Sequence, residues 1–251
     1  MTRNTRAVRR TVGRLSLLSP HFGRWLDCPV PLISENHRFE LEATTETLFV
    51  LLPGIQDQHV DFEIAGFVSA VKQMNLKADL LAVDAHVGYY VRKTLVDRLR
   101  DDIILPARQM GYKNIWLVGT SLGGLGSALY AQKYETDING VLLLAPYLGE
   151  PSMIREISRA GGPGVWLPKK VDFKFELWAW LKKYYDDPNR RPHLFLGFGE
   201  KDKFAYANRF LAEALPRERV LMTAGAHDWA TWHRLWLKFL EQFKEIKPLL
   251  L

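Results

Sequence analysis

Short apolar runs alternate along the chain with longer segments in which apolar residues recur at helical spacing. The apolar runs predict strands at 48–52, 78–83, 114–118, 140–145, 193–198 and 219–223. The segments with helical spacing predict helices at 61–74, 95–110, 125–134, 205–215 and 229–244. Strands that alternate with helices over one domain predict an α/β fold, with a mostly parallel, doubly wound central sheet and helices on both faces.

Two further segments depart from this alternation. Residues 38–43 alternate apolar and polar side chains, which predicts an edge strand before the first buried one. Residues 146–187 carry a glycine-rich stretch and then several aromatic residues, namely Trp166, Trp178, Trp180, Tyr184 and Tyr185. We interpret 146–187 as an inserted cap or lid, and its tryptophans suit either the protein core or the apolar underside of a lid.

Size and charge narrow the class of protein. At 251 residues and 47% hydrophobic content, the chain is long enough to bury one large core. It has 34 basic and 28 acidic residues, but six arginines and no acidic residue lie in residues 1–24, so the remainder is formally neutral. A neutral body lacks the basic face of a nucleic-acid-binding domain, so we expect no nucleic-acid partner. The single cysteine, Cys28, excludes an intramolecular disulfide and a multi-cysteine zinc site.

The arginine-rich N-terminus allows three interpretations. Four of its arginines recur at helical spacing, namely Arg3, Arg6, Arg10 and Arg14. That spacing suits a helix lying on an anionic membrane surface, but the segment is also typical of an imperfect export signal or of an ordinary extension. We assign residues 1–37 to this extension and linker, and 38–251 to the folded domain. Cytoplasmic, membrane-associated and exported locations all stay open, and no segment has the ~20 apolar residues that span a bilayer.

The motif that carries chemistry is Gly119-Thr120-Ser121-Leu122-Gly123, which follows a predicted strand and precedes a predicted helix. In this context it predicts a tight, strained turn that exposes the serine hydroxyl at the sheet edge. A serine hydroxyl needs a base, and His227 lies between the last strand and the last helix, where it would meet Ser121. Asp202, after strand 193–198, is the acid expected to orient the histidine, with Glu200 as second choice.

Two backbone amides are expected to stabilise an oxyanion beside Ser121. One belongs to Leu122, and the other to Ile55 in the loop after strand 48–52. Gly54 would let that loop turn towards the substrate, which Gln56 beside it would also contact.

Further substrate contacts are expected from Tyr89, Tyr90 and Trp229, because the two tyrosines follow strand 78–83 at the sheet edge where ligands bind. Asp84 and His86, which precede those tyrosines, lack the helix-spaced partner histidine of a metal site. We therefore predict neither a metal nor a cofactor.

The order serine, aspartate, histidine along this strand–helix alternation resembles the α/β-hydrolase superfamily, from about residue 38 to the end of the chain. The segment 225–232, Gly-Ala-His-Asp-Trp-Ala-Thr-Trp, is similar to the catalytic-histidine region of esterase-type members. The resemblance implies an α/β-hydrolase fold with a cap insert, and a triad of Ser121, Asp202 and His227. One departure is Pro53-Gly54, where many members have His-Gly. The expected oxyanion donors are backbone amides, so this change of side chain does not remove them.

The expected activity is hydrolysis of small-molecule carboxylic esters through an acyl-enzyme on Ser121, as in a carboxylesterase. The aromatic insert suggests an apolar acyl or aryl group. Thioester hydrolysis and acyl transfer to an alcohol would use the same residues, and a non-catalytic binding module would have the same fold. These alternatives and the oligomeric state stay open.

Overall fold

Seven strands form one central sheet. The computed structural model describes residues 27–37, 45–167 and 175–250, with side chains as far as residue 245. The strands are β1 Ser34–His37, β2 Thr47–Leu52, β3 Asp79–Val83, β4 Asn114–Thr120, β5 Gly140–Leu144, β6 His193–Gly199 and β7 Val220–Thr223. Their order in the sheet is β1-β3-β2-β4-β5-β6-β7.

The first strand of the described chain, β1, lies in a segment for which no strand was predicted. Ser34–His37 pairs antiparallel with β3, whereas every other neighbouring pair is parallel. These four residues therefore belong to the sheet, although the sequence assigned them to the N-terminal linker. The strand predicted at 38–43 and the arginine-rich segment 1–24 lie outside the described residues. The other six predicted strands are present within one or two residues of their predicted ends.

Helices connect the parallel strands. They are α1 Asp61–Ile64, α2 Phe67–Gln73, α3 Val87–Arg92, α4 Leu95–Leu99, α5 Leu105–Gln109, α6 Leu122–Lys133, α7 Pro151–Arg159, α8 Glu176–Asp186, α9 Ala205–Glu213 and α10 Trp229–Leu250. None of the helices in the described part of the chain is long and apolar enough to cross a membrane.

Three helical segments differ in detail from the prediction. The helix predicted at 61–74 is broken at Gly66, whose φ of 85° is left-handed. The helix predicted at 95–110 contains a π-helical turn at Arg100–Ile104, next to Pro106, which lacks the N–H of a regular α-helical turn. The residues after β3, for which no helix was predicted, form α3, with the His86 side chain accepting a hydrogen bond from the Gly88 N–H as its N-cap.

The strand order creates a crevice at one edge of the sheet. β3 lies on one side of β2 and β4 on the other, so the chain changes direction across the sheet at this point. β2 and β4 are paired in register as far as Leu52 and Gly119, so both end at the same height. In open α/β sheets the carboxyl ends at such a reversal leave room for a ligand.

Aromatic packing anchors α10 on the sheet. Phe49 of β2, Trp116 of β4 and Phe195 of β6 are buried around Phe239 of α10. Their ring centroids lie 6.1, 5.8 and 5.2 Å from that of Phe239, in tilted or edge-to-face arrangements. Each buried ring contributes about 1.5–3 kcal/mol relative to an exposed one. This packing also fixes the loop that precedes α10 and carries His227.

The aromatic residues of the 146–187 insert belong to the core. Trp178, Trp180 and Tyr184 of α8 are each less than 4% exposed. Their polar atoms donate hydrogen bonds, from Trp178 to the Leu148 carbonyl, from Trp180 to Glu135 and from Tyr184 to the Pro192 carbonyl. These side chains hold α8 against the domain. That residues 146–187 form a lid remains a prediction, and these buried side chains are not evidence for it.

A buried histidine at the other end of the sheet makes stability depend on pH. His193 begins β6, is 7% exposed and stacks on Trp116. Burial, and then the charges of Arg219 and Arg191, lower its pKa to about 4. Its ordinary pKa is about 6.5, so the unfolded chain binds this proton at a higher pH than the folded protein does.

We expect the protein to be destabilised through this histidine as pH falls from about 6.5 to about 4, because protonation favours the unfolded chain over that window. In His193→Phe, the pH-dependent loss of unfolding free energy should be smaller by on the order of 1–3 kcal/mol. The check is the difference between the free energies of unfolding at pH 7.5 and pH 4.5 in each protein. An equal difference in both would contradict the assignment.

Candidate active site

Ser121 occupies a strained turn between β4 and α6. Its φ of 51° and ψ of −110° lie outside the regions that side chains readily adopt. The turn is held because the Ser121 N–H donates to the Leu144 carbonyl, while the Ser121 carbonyl accepts from the amides of Tyr147 and Leu125. Conformations of this kind cost about 1–3 kcal/mol and concentrate at functional sites.

The two glycines of the motif are required by close backbone contacts. A Cβ on Gly119 would collide with the carbonyl of Gly123, and one on Gly123 would collide with the carbonyl of Leu52. The first turn of α6 therefore packs directly on the end of β2. This contact leaves Ser121 at the mouth of the β2–β4 crevice.

Ser121, His227 and Asp202 form one hydrogen-bonded chain. His227 Nε2 lies 2.9 Å from Ser121 Oγ, and His227 Nδ1 lies 2.8 Å from Asp202 Oδ2. A carboxylate oxygen accepts, so Nδ1 carries the ring proton and Nε2 is free to accept the Ser121 proton. The side chains of His227 and Asp202 are 12% and 0% exposed. The structure thus brings together the three residues proposed from the sequence.

The loops that carry Asp202 and His227 are bonded to each other. The amides of Glu200 and Lys201 donate to the carbonyls of Thr223 and Gly225. A Cβ on Gly199 would collide with the Gly225 carbonyl, so the close approach of the two loops needs a glycine there. Asp202 is fixed further because its Oδ1 accepts a hydrogen bond of 2.7 Å from the Phe204 amide.

Two other acidic residues lie near the triad in sequence, Asp228 and Glu200, and their surroundings differ from those of Asp202. Asp228, next to His227, accepts a 2.8 Å hydrogen bond from the Thr231 amide at the start of α10. This bond, more than any other cause, lowers the pKa of Asp228. Glu200, the second choice for the acid, is exposed.

The loop after β2 passes close to Ser121. It turns at Gly54, whose carbonyl accepts from the Asp57 amide at 3.3 Å. A Cβ on Gly54 would lie 3.6 Å from the Ser121 Cβ, so the loop touches the serine. Within the described residues, the amides of Ile55 and Leu122 donate to no protein group and are available to a ligand. Gln56 is exposed on the same loop.

Aromatic rings surround the imidazole. Phe204 and Trp232 pack edge-on against the His227 ring, each with a centroid distance of 5.0 Å. Tyr147 packs on Phe204 in turn, and burial, followed by the charge of Glu150, raises its pKa to about 12. The sequence analysis missed Tyr147, although it follows β5 at the same sheet edge as Ser121.

Trp229 lies at the site in a different arrangement from the one expected. Its indole N–H donates to Asp57 Oδ1 at 3.1 Å, and its ring packs edge-on against Phe62 and Phe67. It is half-buried. Its substrate contact remains a prediction.

Tyr89 and Tyr90 line a different cavity. It has a volume of about 400 Å³, lies between α3, α4, α6 and the start of α8, and is not lined by Ser121, His227 or Asp202. The Tyr90 hydroxyl nevertheless donates to the Leu122 carbonyl at 2.9 Å, and the Tyr89 hydroxyl donates to the Pro29 carbonyl. Tyr90 is thus bonded to the residue that follows Ser121, whereas Tyr89 is bonded to the segment before β1. Contact of either tyrosine with substrate remains a prediction.

Metal-ligating side chains meet elsewhere in the described chain. Glu35, His37 and Glu63 offer ligand atoms within 4.8 Å of one another near the β1 edge, and Glu63 is exposed. Asp84 faces His59 at 3.8 Å, while His86 caps α3.

Comparison with known proteins agrees with this architecture. A family model described as the alpha/beta hydrolase fold matches residues 95–166. The fold is thus the α/β-hydrolase fold that the sequence predicted. No curated protein matches the chain in sequence.

Three solved structures illustrate the likeness. A ferulic acid esterase is 16% identical, with a TM-score of 0.57 over 82% of this chain and 87% of its own. Est1E from Butyrivibrio proteoclasticus is 14% identical, with a TM-score of 0.58 over 86% and 93%. The fluorophosphonate-binding serine hydrolase F of Staphylococcus aureus is 14% identical, with a TM-score of 0.53 over 81% and 86%. At these identities the likeness is one of fold.

The contact between α6 and β2 makes a testable prediction. We expect Gly123→Ala to destabilise the protein by about 2 kcal/mol or more, because the new Cβ would collide with backbone that cannot move aside. The melting temperature should fall by roughly 5 °C or more. Gly164→Ala is the matched control, since its Cβ would lie 3.2 Å from the side chain of Tyr185 and would not collide with backbone. Equal melting temperatures for the two variants would contradict this account of the turn.

Proposed function

We propose that this protein is a serine hydrolase that cleaves carboxylic esters through an acyl-enzyme on Ser121. The observation that carries the proposal is the unbroken hydrogen-bonded chain from Asp202 through His227 to Ser121, at the mouth of the β2–β4 crevice. Nucleophile, base and orienting acid in this arrangement are what acyl transfer requires.

Acylation begins with Ser121. As its Oγ attacks the carbonyl carbon of the ester, the hydroxyl proton passes to His227 Nε2 and the carbonyl electrons move onto oxygen. Collapse of the tetrahedral intermediate breaks the bond to the leaving alcohol, which takes the proton from His227. The acyl group remains on Ser121.

Deacylation repeats the same steps with water. His227 removes a proton from the water as the water oxygen attacks the acyl carbon. His227 then returns that proton to Ser121 Oγ as the carboxylic acid leaves. Asp202 stays ionised throughout; it holds the ring in the tautomer with the proton on Nδ1 and stabilises the imidazolium.

The oxyanion of both steps would be held by the amides of Ile55 and Leu122. These amides flank Ser121, and Leu122 is the first residue of α6, whose helix dipole favours negative charge at that end. The turn at Ser121 then acts as a nucleophile elbow.

The substrate class follows from the surroundings of the imidazole. Phe204, Trp232 and Tyr147 make this side of the site aromatic, which favours an apolar acyl or aryl group on the ester. The printed names of two structural neighbours, a ferulic acid esterase and a fluorophosphonate-binding serine hydrolase, are compatible with this class. Thioesters would react through the same residues.

The first test is the nucleophile. We expect a fluorophosphonate probe to label the wild-type protein on Ser121, and p-nitrophenyl esters to be hydrolysed with a preference for apolar acyl groups. Ser121→Ala should abolish labelling and reduce kcat/KM by about 10⁴-fold or more. Full ester turnover by the folded Ser121→Ala variant would refute the mechanism, and a folded wild-type protein that neither labels nor turns over would favour a binding module.

The second test separates the two acids in the loop after β6. Asp202→Asn should lower kcat by about 10³–10⁴-fold, because an amide at this position no longer enforces the reactive tautomer of His227. Glu200→Gln is the matched control, since it neutralises an exposed carboxylate two residues away and should stay within about twofold of wild type. Comparable losses in both variants would show that Asp202 has no special role.

A further inference from the structure

A second carboxylate lies beside Ser121 and has no part in the proton path. Asp57 follows Gly54 in the loop after β2 and is half-buried. Asp202 already accepts the proton of His227 Nδ1, so Asp57 cannot be the acid of the triad. A half-buried carboxylate in such a place is unfavourable unless its contacts compensate for lost water.

The contacts of Asp57 join the loop to α10. Its amide donates to the Gly54 carbonyl and closes the turn that contains Ile55. Its Oδ1 accepts the indole N–H of Trp229 at 3.1 Å. Its Oδ2 lies so close to Gly54 that a Cβ there would collide with it, and that same Cβ would lie 3.6 Å from the Ser121 Cβ. The carboxylate and the serine therefore flank one glycine.

The partner of Asp57 is itself immobilised. The Trp229 ring packs edge-on against Phe62, Phe67 and Trp232, with centroid distances of 5.2, 5.7 and 5.2 Å. Trp229 also follows His227 by two residues, at the start of α10. A hydrogen bond to this indole thus ties the loop with the Ile55 amide to the helix that directly follows the loop with His227.

The charges around Asp57 come from two elements. Burial raises the pKa of Asp57, the Trp229 hydrogen bond lowers it, Asp61 of α1 raises it and His227 lowers it.

We propose that Asp57 is a positioning residue, which holds the loop with the Ile55 amide beside Ser121 through its bond to Trp229. The expected effect of Asp57 on catalysis rests on the proposed function. Its expected effect on the order of the loop after β2 does not.

The loop is tested by hydrogen–deuterium exchange, which needs no activity. We expect Asp57→Ala and Trp229→Phe to speed amide exchange in peptides covering residues 53–58 by about tenfold or more, because the turn loses its anchor. Asp57→Asn should stay near wild type, since its side-chain oxygen can still accept from the indole. Glu63→Gln, which removes an exposed carboxylate from nearby α1, is the control and should not change the exchange.

The same proteins are then assayed with a p-nitrophenyl ester. Asp57→Ala should lower kcat by roughly 10–100-fold with little change in KM, because the Ile55 donor is misplaced mainly in the transition state. The double variant with Trp229→Phe should be no more than about twofold worse, since both changes break one bond. Asp57→Asn should recover most of kcat, because its side-chain oxygen can still accept the indole hydrogen bond.

The outcomes separate the two proposals. If Asp57→Ala leaves both exchange and kcat within about threefold of wild type, the positioning role is wrong. Failure of Asp57→Asn to recover kcat, with exchange near that of wild type, would show that the hydrogen bond to the indole is not what supports catalysis. If wild type neither labels nor hydrolyses esters, the proposed function fails, and faster exchange in Asp57→Ala would still establish that Asp57 orders the loop.

Discussion

The candidate site depends on one close backbone contact, between the first turn of α6 and the end of β2. Gly119 and Gly123 permit it, because any side chain at either position would collide with main-chain atoms. The contact forces Ser121 into its left-handed conformation and sets the Leu122 amide beside the loop after β2. Two hydrogen bonds hold Ser121 in this strained conformation: its amide donates to the Leu144 carbonyl of β5, and its carbonyl accepts from the Tyr147 amide. The serine is therefore held in place before any ligand arrives.

A second constraint joins the base to its acid. Asp202 and His227 lie on loops after β6 and β7, and the first loop donates two backbone hydrogen bonds to carbonyls at the start of the second, beside Gly199 and Gly225. Phe204 and Trp232 pack on the imidazole and limit its rotation. The Asp202 side chain is fully buried, so its hydrogen bond with His227 acts in a medium of low dielectric constant, where such bonds are stronger. The position of the histidine is thus set by packing on several sides.

Much of this architecture was predictable because its signals are local. Buried strands are continuous apolar runs, and Gly-x-Ser-x-Gly needs only its strand and helix neighbours to be recognised. Ser121, Asp202 and His227 could be proposed together because each follows a strand, and parallel strands end at one edge. The break at Gly66 and the pairing of β1 depend on contacts with distant elements, which periodicity does not record. Asp57 escaped notice for the same reason, since its partner lies 172 residues away.

Two carboxylates near one imidazole acquire different tasks from their surroundings. Both oxygens of Asp202 are engaged, by His227 and by the Phe204 amide, so this side chain can only fix the ring. Asp57 instead bonds the Trp229 indole from the opposite side of Ser121 in the sheet, since it follows β2 and Asp202 follows β6. The indole that holds Asp57 belongs to the helix that follows His227, and Asp57 itself belongs to the loop with the Ile55 amide. One hydrogen bond therefore joins the segment proposed to hold the oxyanion to the segment next to the base, so that the two can keep their positions relative to Ser121 together.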